Sequence, residues 1–362
     1  MATRPHNFNA GPAILPLEVM EEVRGALLDT NGSGLSVMEW SHRSPDYDAV
    51  RADVRSRFFR LLGLPEDGGG FELLLLQGGA SMQFAMIPMN LRAGSAGAYV
   101  NTGAWSKKAL AEARRVGDAV EVWTGAETNF NCLPSADAWN EPADASYVHL
   151  TSNNTIFGTQ FGELPRTTSP LIVDMSSDIL SRPIDMDRVS MIYAGAQKNL
   201  GPAGVTVVLL RTEMLGDAPA GLPAIMDYRV HLKADALYNT PNTFGVYLMG
   251  RVLGWIERIG GLGAMAERNA AKGKLLYDEI ARTGYYRATA EAGARSLMNV
   301  TFRLPDEGLE KRFIDESKEA GFVGLKGHRS VGGCRASIYN ACPTESVQAL
   351  VSFMQDFEKR NG

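Results

Sequence analysis

Short apolar runs alternate with longer amphipathic stretches through the middle of the chain. Glycine or polar residues lie just after these runs. Nearly continuous apolar runs of this length are typical of buried strands in a mostly parallel sheet with helices on both faces. The predicted strands are Phe71–Leu76, Ala98–Val100, Val120–Trp123, Tyr147–Leu150, Leu171–Val173, Met191–Tyr193 and Val205–Leu210.

The pattern changes near residue 260, where two adjacent glycines follow a long amphipathic stretch. We predict a large domain over residues 16–260 and a small α+β domain made of residues 1–15 and 261–362. The first 15 residues contain proline and glycine, and we expect them to be extended and to pack on the C-terminal unit. The elements predicted here are the helices Tyr247–Ile259, Ala264–Thr283 and Leu309–Ala320 and the strands Met298–Leu304 and Arg335–Tyr339.

Composition narrows the class of protein. The 362 residues carry a net charge of −5 and include 45% hydrophobic residues, which argues against a nucleic-acid-coating surface. The longest apolar runs, Leu73–Leu76 and Val207–Leu210, have four residues each, far below the ~20 that span a bilayer. Three cysteines without a CxxC pair make a disulfide framework or a structural metal site improbable. We therefore expect a cytoplasmic globular protein with no metal, nucleic-acid or membrane partner.

Lys198 and Asp174 are the candidates for catalysis. Lys198 lies between two predicted strands, after small residues, so we expect its turn to be buried. Burial lowers the pKa of a lysine and makes its amine a nucleophile that can form a Schiff base. Asp174 directly follows a strand, where a carboxylate could pair with the ring nitrogen of pyridoxal 5′-phosphate (PLP). Either could instead be ordinary, as a surface lysine or as a helix-capping aspartate.

A glycine turn after the first strand predicts an anion site. The segment 77–81 (QGGAS) leads into a helix that we expect to begin near Ser81. Free amides at such a helix N-terminus, with the serine hydroxyl, bind phosphate well. The turn matches neither a Walker A sequence nor the GxGxxG of dinucleotide-binding proteins, which disfavours a Rossmann dehydrogenase. Trp105, just after another strand, could stack on a planar cofactor or belong to the core.

Two His-Arg dipeptides and a later arginine are candidates for binding small anions. His42-Arg43 and His328-Arg329 each lie beside serines in loop-like sequence. Imidazole and guanidinium groups together hold phosphate or carboxylate through charge-assisted hydrogen bonds, although two such pairs could be coincidence. Arg335 begins a predicted strand, where it could clamp a carboxylate or form a salt bridge at the strand edge.

These motifs in this order resemble the phosphoserine aminotransferases, a family within the class V, fold-type I PLP-dependent aminotransferases. The resemblance runs nearly from end to end. It implies an α/β PLP-transferase fold with a mostly parallel seven-stranded sheet, a smaller α+β C-terminal domain, and a homodimer with shared active sites. The matching motifs are NFNAGPA at 7–13, SHRS at 41–44, QGGAS at 77–81, NNTIFGTQ at 153–160, DMSS at 174–177, AGAQKNLGP at 194–202, GHR at 327–329 and RASIYN at 335–340.

The resemblance also implies a role for each candidate residue. Lys198 would hold PLP covalently as an aldimine, and Asp174 would pair with the pyridine nitrogen. The remaining contacts to PLP would come from Ala80, Ser81, Trp105, Thr155 and Gln197, and across the dimer interface from Asn239 and Thr240. Arg335 would bind the substrate α-carboxylate. The second anionic group of the substrate would be bound by His42, Arg43, His328 and Arg329.

The activity implied is a ping-pong transamination. It interconverts 3-phosphohydroxypyruvate and L-glutamate with O-phospho-L-serine and 2-oxoglutarate, as in serine biosynthesis, and 4-phosphohydroxythreonine of pyridoxine biosynthesis is a further candidate substrate.

An alanine–glyoxylate-type aminotransferase needs no distal anion site, so the two His-Arg pairs argue against it. A cysteine desulfurase needs a reactive cysteine on a mobile loop, whereas Cys334 and Cys342 flank a predicted strand. The hypothesis of a non-catalytic binding protein remains, and only the complete set of site residues argues against it.

Overall fold

A seven-stranded, mostly parallel sheet forms the centre of the larger half of the molecule. The structure is a computed structural model that describes residues 4–91, 95–135 and 138–362. Its strands are β1 (His6–Asn7), β2 (Phe71–Leu76), β3 (Gly97–Asn101), β4 (Ala119–Thr124), β5 (Tyr147–Thr151), β6 (Asn153–Asn154), β7 (Thr159–Gln160), β8 (Leu171–Asp174), β9 (Met191–Gly195), β10 (Thr206–Arg211), β11 (Arg287–Ala288), β12 (Asn299–Arg303), β13 (Phe322–Val323) and β14 (Cys334–Ser337). The strand order in the sheet is β2-β10-β9-β8-β5-β3-β4, and of these seven only β10 runs antiparallel to its neighbours.

Helices cover both faces of this sheet, as the apolar strands predict. Alternate residues of one strand belong to opposite cores: Val173 packs on the face covered by α2 and α6, and Ile172 on the face covered by α3 and α4. The predicted α/β fold is therefore confirmed. The helices are α1 (Leu17–Ala26), α2 (Pro45–Leu61), α3 (Gly79–Leu91), α4 (Ala104–Val116), α5 (Tyr228–Lys233), α6 (Thr243–Arg258), α7 (Gly261–Thr283), α8 (Glu307–Glu319) and α9 (Thr344–Asn361).

A smaller three-stranded sheet, β11-β12-β14, packs with α7, α8 and α9 around a separate core. The N-terminal segment joins this unit, because β1 pairs in parallel with β13 and Phe8 lies in the same core. Helix α7 contributes to both cores, with Leu262 and Met265 in the larger one and Leu276 in the smaller. The division into domains at residue 260 stays a prediction.

Helix α6 begins four residues before the predicted Tyr247. The reason is a side-chain cap, since Asn242 Oδ1 accepts a hydrogen bond from the Gly245 amide at 2.9 Å. The two glycines after α6 form the turn into α7, with Gly260 at φ 104°.

The described part of the chain offers neither a membrane span nor a metal cluster. None of its helices combines the length and the apolar character that crossing a membrane requires. The same residues contain no group of three or more His, Cys, Asp or Glu side chains that could hold a metal ion. Cys132, Cys334 and Cys342 are free thiols.

Candidate active site

A cavity of about 570 Å³ lies where β8 and β9 end. In an α/β sheet the carboxyl ends of parallel strands form one edge, so the residues that follow neighbouring strands meet there. The N-terminal segment closes one wall with residues 10–12. The cavity brings together these residues predicted from the sequence: Ala80, Ser81, Trp105, Thr155, Asp174, Gln197, Lys198, His328 and Arg335.

Lys198 lies in the tight turn between β9 and β10. The turn is anchored by buried Ala196 and Leu200 and by the hydrogen bond from the Ala196 amide to the Val205 carbonyl at 3.0 Å. Lys198 Nζ donates to Thr155 Oγ1 at 3.2 Å. Burial lowers the pKa of Lys198 to about 8; a nearby carboxylate opposes this shift and a nearby guanidinium adds to it. About a tenth of the amines are therefore neutral at pH 7, far more than for an ordinary lysine.

Asp174 is the last residue of β8 and is almost fully buried. Its Oδ1 accepts hydrogen bonds from Ser176, at 2.9 Å from the amide and 2.6 Å from the hydroxyl. The Ser176 hydroxyl in turn accepts from the Gly195 amide at 3.2 Å, which ties the carboxylate to β9. Burial raises the pKa of Asp174, whereas the Ser176 hydrogen bonds and the Lys198 charge favour the ionised form.

The turn before α3 offers backbone amides to the cavity. Gly78 and Gly79 have φ of 87° and 69°, and a Cβ on Gly78 would lie 2.6 Å from the Met82 sulfur. The helix begins at Gly79, two residues before the predicted start at Ser81. The first amides of any α-helix have no acceptor within the helix, and here they face the cavity together with Ser81. This end of the cavity is therefore suited to a phosphate group.

Trp105 covers another side of the cavity from the second position of α4. The start of α4 is fixed by Ser106, whose Oγ accepts from the amides of Thr102 and Gly103 at 2.9 and 3.0 Å. Lys198 Nζ lies 5.9 Å from the centroid of the indole ring. The ring thus lies close to the amine and offers a planar surface to a flat ligand.

Arg335 brings a cationic group to the side of the cavity formed by β14. Its Nη1 donates to the Thr155 carbonyl at 3.3 Å, and its buried Nε has no partner among the described residues. Burial lowers the pKa of Arg335. A guanidinium nevertheless stays charged in proteins. His328 lines the same cavity, and its pKa is lowered by burial and then by the charges of Arg335 and Arg329. A site with an unpartnered donor and this much positive charge favours an anion.

Five predicted site residues do not line this cavity: His42, Arg43, Asn239, Thr240 and Arg329. The first two precede α2, the next two follow α5 in exposed positions, and Arg329 lines an adjoining groove that shares His328 with the cavity. Thr240 is nevertheless linked to the phosphate turn, because its carbonyl accepts a hydrogen bond from Gln77 Nε2 at 2.7 Å.

Two features of the site have no role assigned from the sequence. Ser176 follows Asp174 by two residues, which is the spacing at which an aspartate accepts a hydrogen bond from a backbone amide, so a local signal for it exists. The wall at Gly11 has no such signal, because it depends on a contact distant in sequence: a Cβ on Gly11 would lie 3.7 Å from Lys198 Cγ.

Comparisons with known proteins agree with this fold. The model of the aminotransferase class-V family matches residues 6–350. The chain therefore belongs to the class-V aminotransferase family. The phosphoserine aminotransferase of Geobacillus kaustophilus is 55% identical over 359 residues, which are 99% of each chain.

Solved structures give the same result. Phosphoserine aminotransferase from Bacillus circulans subsp. alkalophilus superposes with a TM-score of 0.97 at 49% identity and covers 99% of both chains. PLP-bound phosphoserine aminotransferase from Trichomonas vaginalis has a TM-score of 0.92 at 39% identity and covers 97% of this chain and 100% of that one. The predicted family and its PLP-dependent aminotransferase fold are thus confirmed.

Proposed function

We propose that the protein is a PLP-dependent phosphoserine aminotransferase. It transfers the amino group of L-glutamate to 3-phosphohydroxypyruvate, giving 2-oxoglutarate and O-phospho-L-serine. The observation that carries this proposal is that Asp174, at the end of β8, and Lys198, in the turn after the neighbouring β9, line one cavity. The N-terminus of α3 and Arg335 line the same cavity. Similarity along the whole chain to proteins named phosphoserine aminotransferase supports the choice of substrates.

The residues of the cavity fit PLP on each side of the molecule. The α3 amides and Ser81 suit its phosphate, the Asp174 carboxylate suits its ring nitrogen, and the Lys198 amine suits its aldehyde. The Trp105 ring suits its flat face. When bound, PLP supplies an electron sink that stabilises negative charge at the substrate Cα.

Lys198 has two tasks in this reaction. Its neutral amine attaches the cofactor, and after release the same amine takes the proton from the substrate Cα. A pKa of about 8 suits both tasks, because the amine is a competent base and still exists in the neutral form at physiological pH. The hydrogen bond with Thr155 Oγ1 holds Nζ beside the cavity.

The substrates share two negative groups, which we assign to residues of the cavity and of the adjoining groove. The Arg335 guanidinium binds the α-carboxylate common to glutamate and phosphoserine. His328 and Arg329 bind the distal phosphate or the γ-carboxylate. His42, Arg43 and the pair at 239–240 lie outside this cavity in their own chain, so we assign them to the second site of a homodimer with shared active sites.

The absorbance of the bound cofactor tests the function directly. The purified protein is loaded with PLP and mixed with O-phosphoserine alone or with glutamate alone. We expect each amino donor to remove the absorption band of the Lys198-linked cofactor, and Lys198→Ala to lack that band. A response to glutamate but not to O-phosphoserine would indicate a different class V aminotransferase. Failure to bind PLP would refute the proposal.

Two finer assignments also belong to this proposal. We expect the enzyme to act in the cytoplasm, and 4-phosphohydroxythreonine of pyridoxine biosynthesis to be a second amino donor. The latter also carries a phosphate and an α-carboxylate, so the same cations can bind it. Its effect on the cofactor absorbance, compared with that of O-phosphoserine at equal concentration, tests the second substrate.

A further inference from the structure

Hydrogen bonds at both of its ends attach the N-terminal wall of the cavity to the rest of the molecule. We call residues 10–13 the wall segment, and its first three residues line the cavity. At one end the Tyr339 hydroxyl donates to the Ala10 carbonyl at 2.7 Å. At the other end the Ala13 amide donates to the Gln197 carbonyl at 2.8 Å. The wall segment therefore joins the segment after β14 to the turn after β9.

The wall segment lies beside the aliphatic part of Lys198. A Cβ added to Gly11 would lie 3.7 Å from Lys198 Cγ and 3.9 Å from Lys198 Cε, which is ordinary van der Waals contact. Gly11 and Pro12 are themselves exposed, so burial of apolar surface does little to hold them in place. Their position therefore depends on the hydrogen bonds at Ala10 and Ala13.

The direction of the Tyr339 hydrogen bond is fixed by its partners. Tyr339 is fully buried, and its hydroxyl accepts a hydrogen bond from Asn299 Nδ2 at 3.1 Å. The Asn299 side chain is itself oriented, because its Oδ1 accepts from Asn153 Nδ2 at 2.8 Å. A carbonyl oxygen only accepts hydrogen bonds, so the hydroxyl proton of Tyr339 is donated to Ala10.

This chain of hydrogen bonds begins and ends at residues that line the cavity, Asn153 in β6 and Ala10 in the wall segment. Between them lie Asn299 in β12 and Tyr339 after β14, which belong to the unit of the smaller sheet. The side chains of Asn153, Asn299 and Tyr339 are at most 1% exposed. A buried polar network whose members all have partners is rigid, so it can hold the wall segment at a fixed distance from Lys198.

We propose that Tyr339 is a positioning residue that holds the wall segment against Lys198, and that Asn299 orients its hydroxyl. This inference rests on the proposed function, because it concerns the lysine that attaches PLP. Held in place, the wall segment keeps water away from part of the Lys198 side chain. Released at Ala10, it leaves that part of the side chain solvated, and the amine then keeps its proton more readily.

Amide hydrogen exchange in the apoprotein tests whether Tyr339 holds the wall segment. Tyr339→Phe removes the hydroxyl and keeps the ring in the core. We expect the Ala13 amide to exchange about 2- to 10-fold faster, because opening the wall segment no longer breaks the bond to Ala10. Exchange is followed by NMR of alanine-labelled protein. The Ala196 amide, which donates to the Val205 carbonyl in the turn after β9, is the internal reference and keeps its rate.

The pH dependence of PLP attachment tests whether the wall segment matters for Lys198. Burial lowers the pKa of a lysine, so a loss of burial raises it. In Tyr339→Phe we therefore expect the midpoint of the attachment rate to move to higher pH, toward the value of an ordinary lysine. The charged groups that also act on Lys198 are Asp174, Asp178 and Arg335, and the substitution leaves all three unchanged.

Tyr286→Phe is the matched control. Tyr286 is also buried in the unit of the smaller sheet, and its hydroxyl donates to a backbone carbonyl, that of Met354, at 2.8 Å. Tyr286 does not line the cavity. The same chemical change there leaves Ala13 exchange and the midpoint of PLP attachment unaltered. Thermal unfolding shows whether the two tyrosine variants lose comparable stability.

Asn299→Asp tests the direction of the hydrogen bond while Tyr339 stays unchanged. The ionised carboxylate keeps an acceptor for Asn153 and replaces the donor toward Tyr339 by an acceptor. A carboxylate is a stronger acceptor than a carbonyl, so the hydroxyl proton leaves Ala10 and the Ala13 amide exchanges faster. The double variant with Tyr339→Phe exchanges no faster than Tyr339→Phe alone, because both changes remove the same bond. If one of the two single variants does not fold, the other decides.

The proposal is overturned if the Ala13 amide of Tyr339→Phe exchanges at the rate of the unmodified protein. It is equally overturned if Ala196 exchange rises as much, or if Tyr286→Phe has the same effect, because the loss is then a general one. Faster Ala13 exchange with an unchanged midpoint of PLP attachment also overturns it, since the wall segment then has no influence on Lys198.

Failure of the proposed function looks different. Exchange in the apoprotein needs no cofactor, so it decides whether Tyr339 holds the wall segment in either case. An unmodified protein that does not bind PLP refutes the proposed function and with it the role in attachment. One that binds PLP but does not respond to O-phosphoserine refutes only the substrate.

Discussion

The Lys198 amine determines the pH at which the cofactor can attach. Only the neutral amine is a nucleophile, and its pKa is about 8 in the folded protein. We therefore expect the rate of covalent attachment of PLP to the apoprotein to rise with pH, to reach half its maximum near pH 8, and to level off above it. Stopped-flow absorbance between pH 6 and 10 measures this rate. A rate that still rises steeply at pH 10 would mean that the amine is solvated, as in an ordinary lysine.

Burial alone does not make a lysine catalytic, and a second lysine shows the difference. Lys272 is fully buried in α7 and its pKa is lowered to about 7, largely by burial. Its Nζ donates to three backbone carbonyls, those of Ile338, Tyr339 and Cys342. Lys198 instead faces a cavity and has a hydroxyl partner. We infer that Lys272 joins α7 to the segment after β14 and has no part in the chemistry.

Arg335 is expected to bind substrate through the shape of its side chain as well as its charge. Arg335→Lys keeps the charge and loses the planar pair of donors that matches a carboxylate. We expect kcat/KM to fall about 10- to 100-fold for both glutamate and O-phosphoserine, with PLP affinity unchanged. Steady-state kinetics and a PLP titration measure the two quantities.

The matched control for this variant is Arg287→Lys. Arg287 lies in β11 of the same small sheet but is exposed, so the same chemical change there leaves kcat/KM unaltered. A loss confined to one of the two substrates in Arg335→Lys would contradict binding of the shared α-carboxylate.

The place of a residue in the site was predictable where a short stretch of sequence around it indicates that place. Lys198 and Asp174 follow strands in short, distinctive motifs, and the cavity contains both. The approach of Gly11 to Lys198 was not predictable, because the two residues are distant in sequence. It depends on how the chain segments are arranged in space, and that information is absent from any local pattern.

Among the secondary-structure elements, the turn between β3 and α4 controls the position of Trp105. Gly103 there has φ 148°, and a Cβ would lie 2.1 Å from Asn154 Nδ2. We expect Gly103→Ala to lower the free energy of unfolding by about 1–3 kcal/mol. It should also weaken PLP binding, because the start of α4 must shift. Chemical denaturation and a PLP titration measure both effects.

Gly263→Ala provides the comparison for that substitution. Gly263 lies within α7, and a Cβ there meets nothing within 4 Å. Alanine favours a helix over glycine by about 1 kcal/mol, so this variant is as stable as the parent or more stable, with unchanged PLP affinity. Equal destabilisation in the two variants would contradict a specific role for the Gly103 turn.

The strands were more predictable than their arrangement. All seven strands of the large sheet match the apolar runs to within one or two residues, because a strand buried on both faces is apolar throughout. An apolar run of this kind does not indicate the direction of its strand, so the antiparallel direction of β10 was not predictable. The hairpin of β6 and β7 also has no apolar signal, since each of its strands is two polar residues long.

At the scale of the whole molecule, one chain does not bring all the predicted site residues into one cavity. His42 and Arg43 lie before α2, away from the cavity that contains Lys198. In the proposed homodimer each chain supplies them to the other's site. A Lys198→Ala chain and a chain with Arg43→Ala are then each defective, but mixing them gives a dimer in which one site has Lys198 from one chain and Arg43 from the other. We expect transaminase activity to rise above that of either variant after the two are unfolded and refolded together.

A rise in transaminase activity distinguishes active sites shared between two chains from active sites built within one chain. If each chain used its own Arg43, the mixed dimer would contain one site without Lys198 and one without Arg43, and activity could not exceed the average of the two parents. The control is a mixture of Lys198→Ala with Arg335→Ala, because Arg335 lines the cavity of its own chain. We expect the transaminase activity of that mixture not to rise when the two chains form mixed dimers. A gain for Arg43 together with none for Arg335 requires that the complete site is built from two chains.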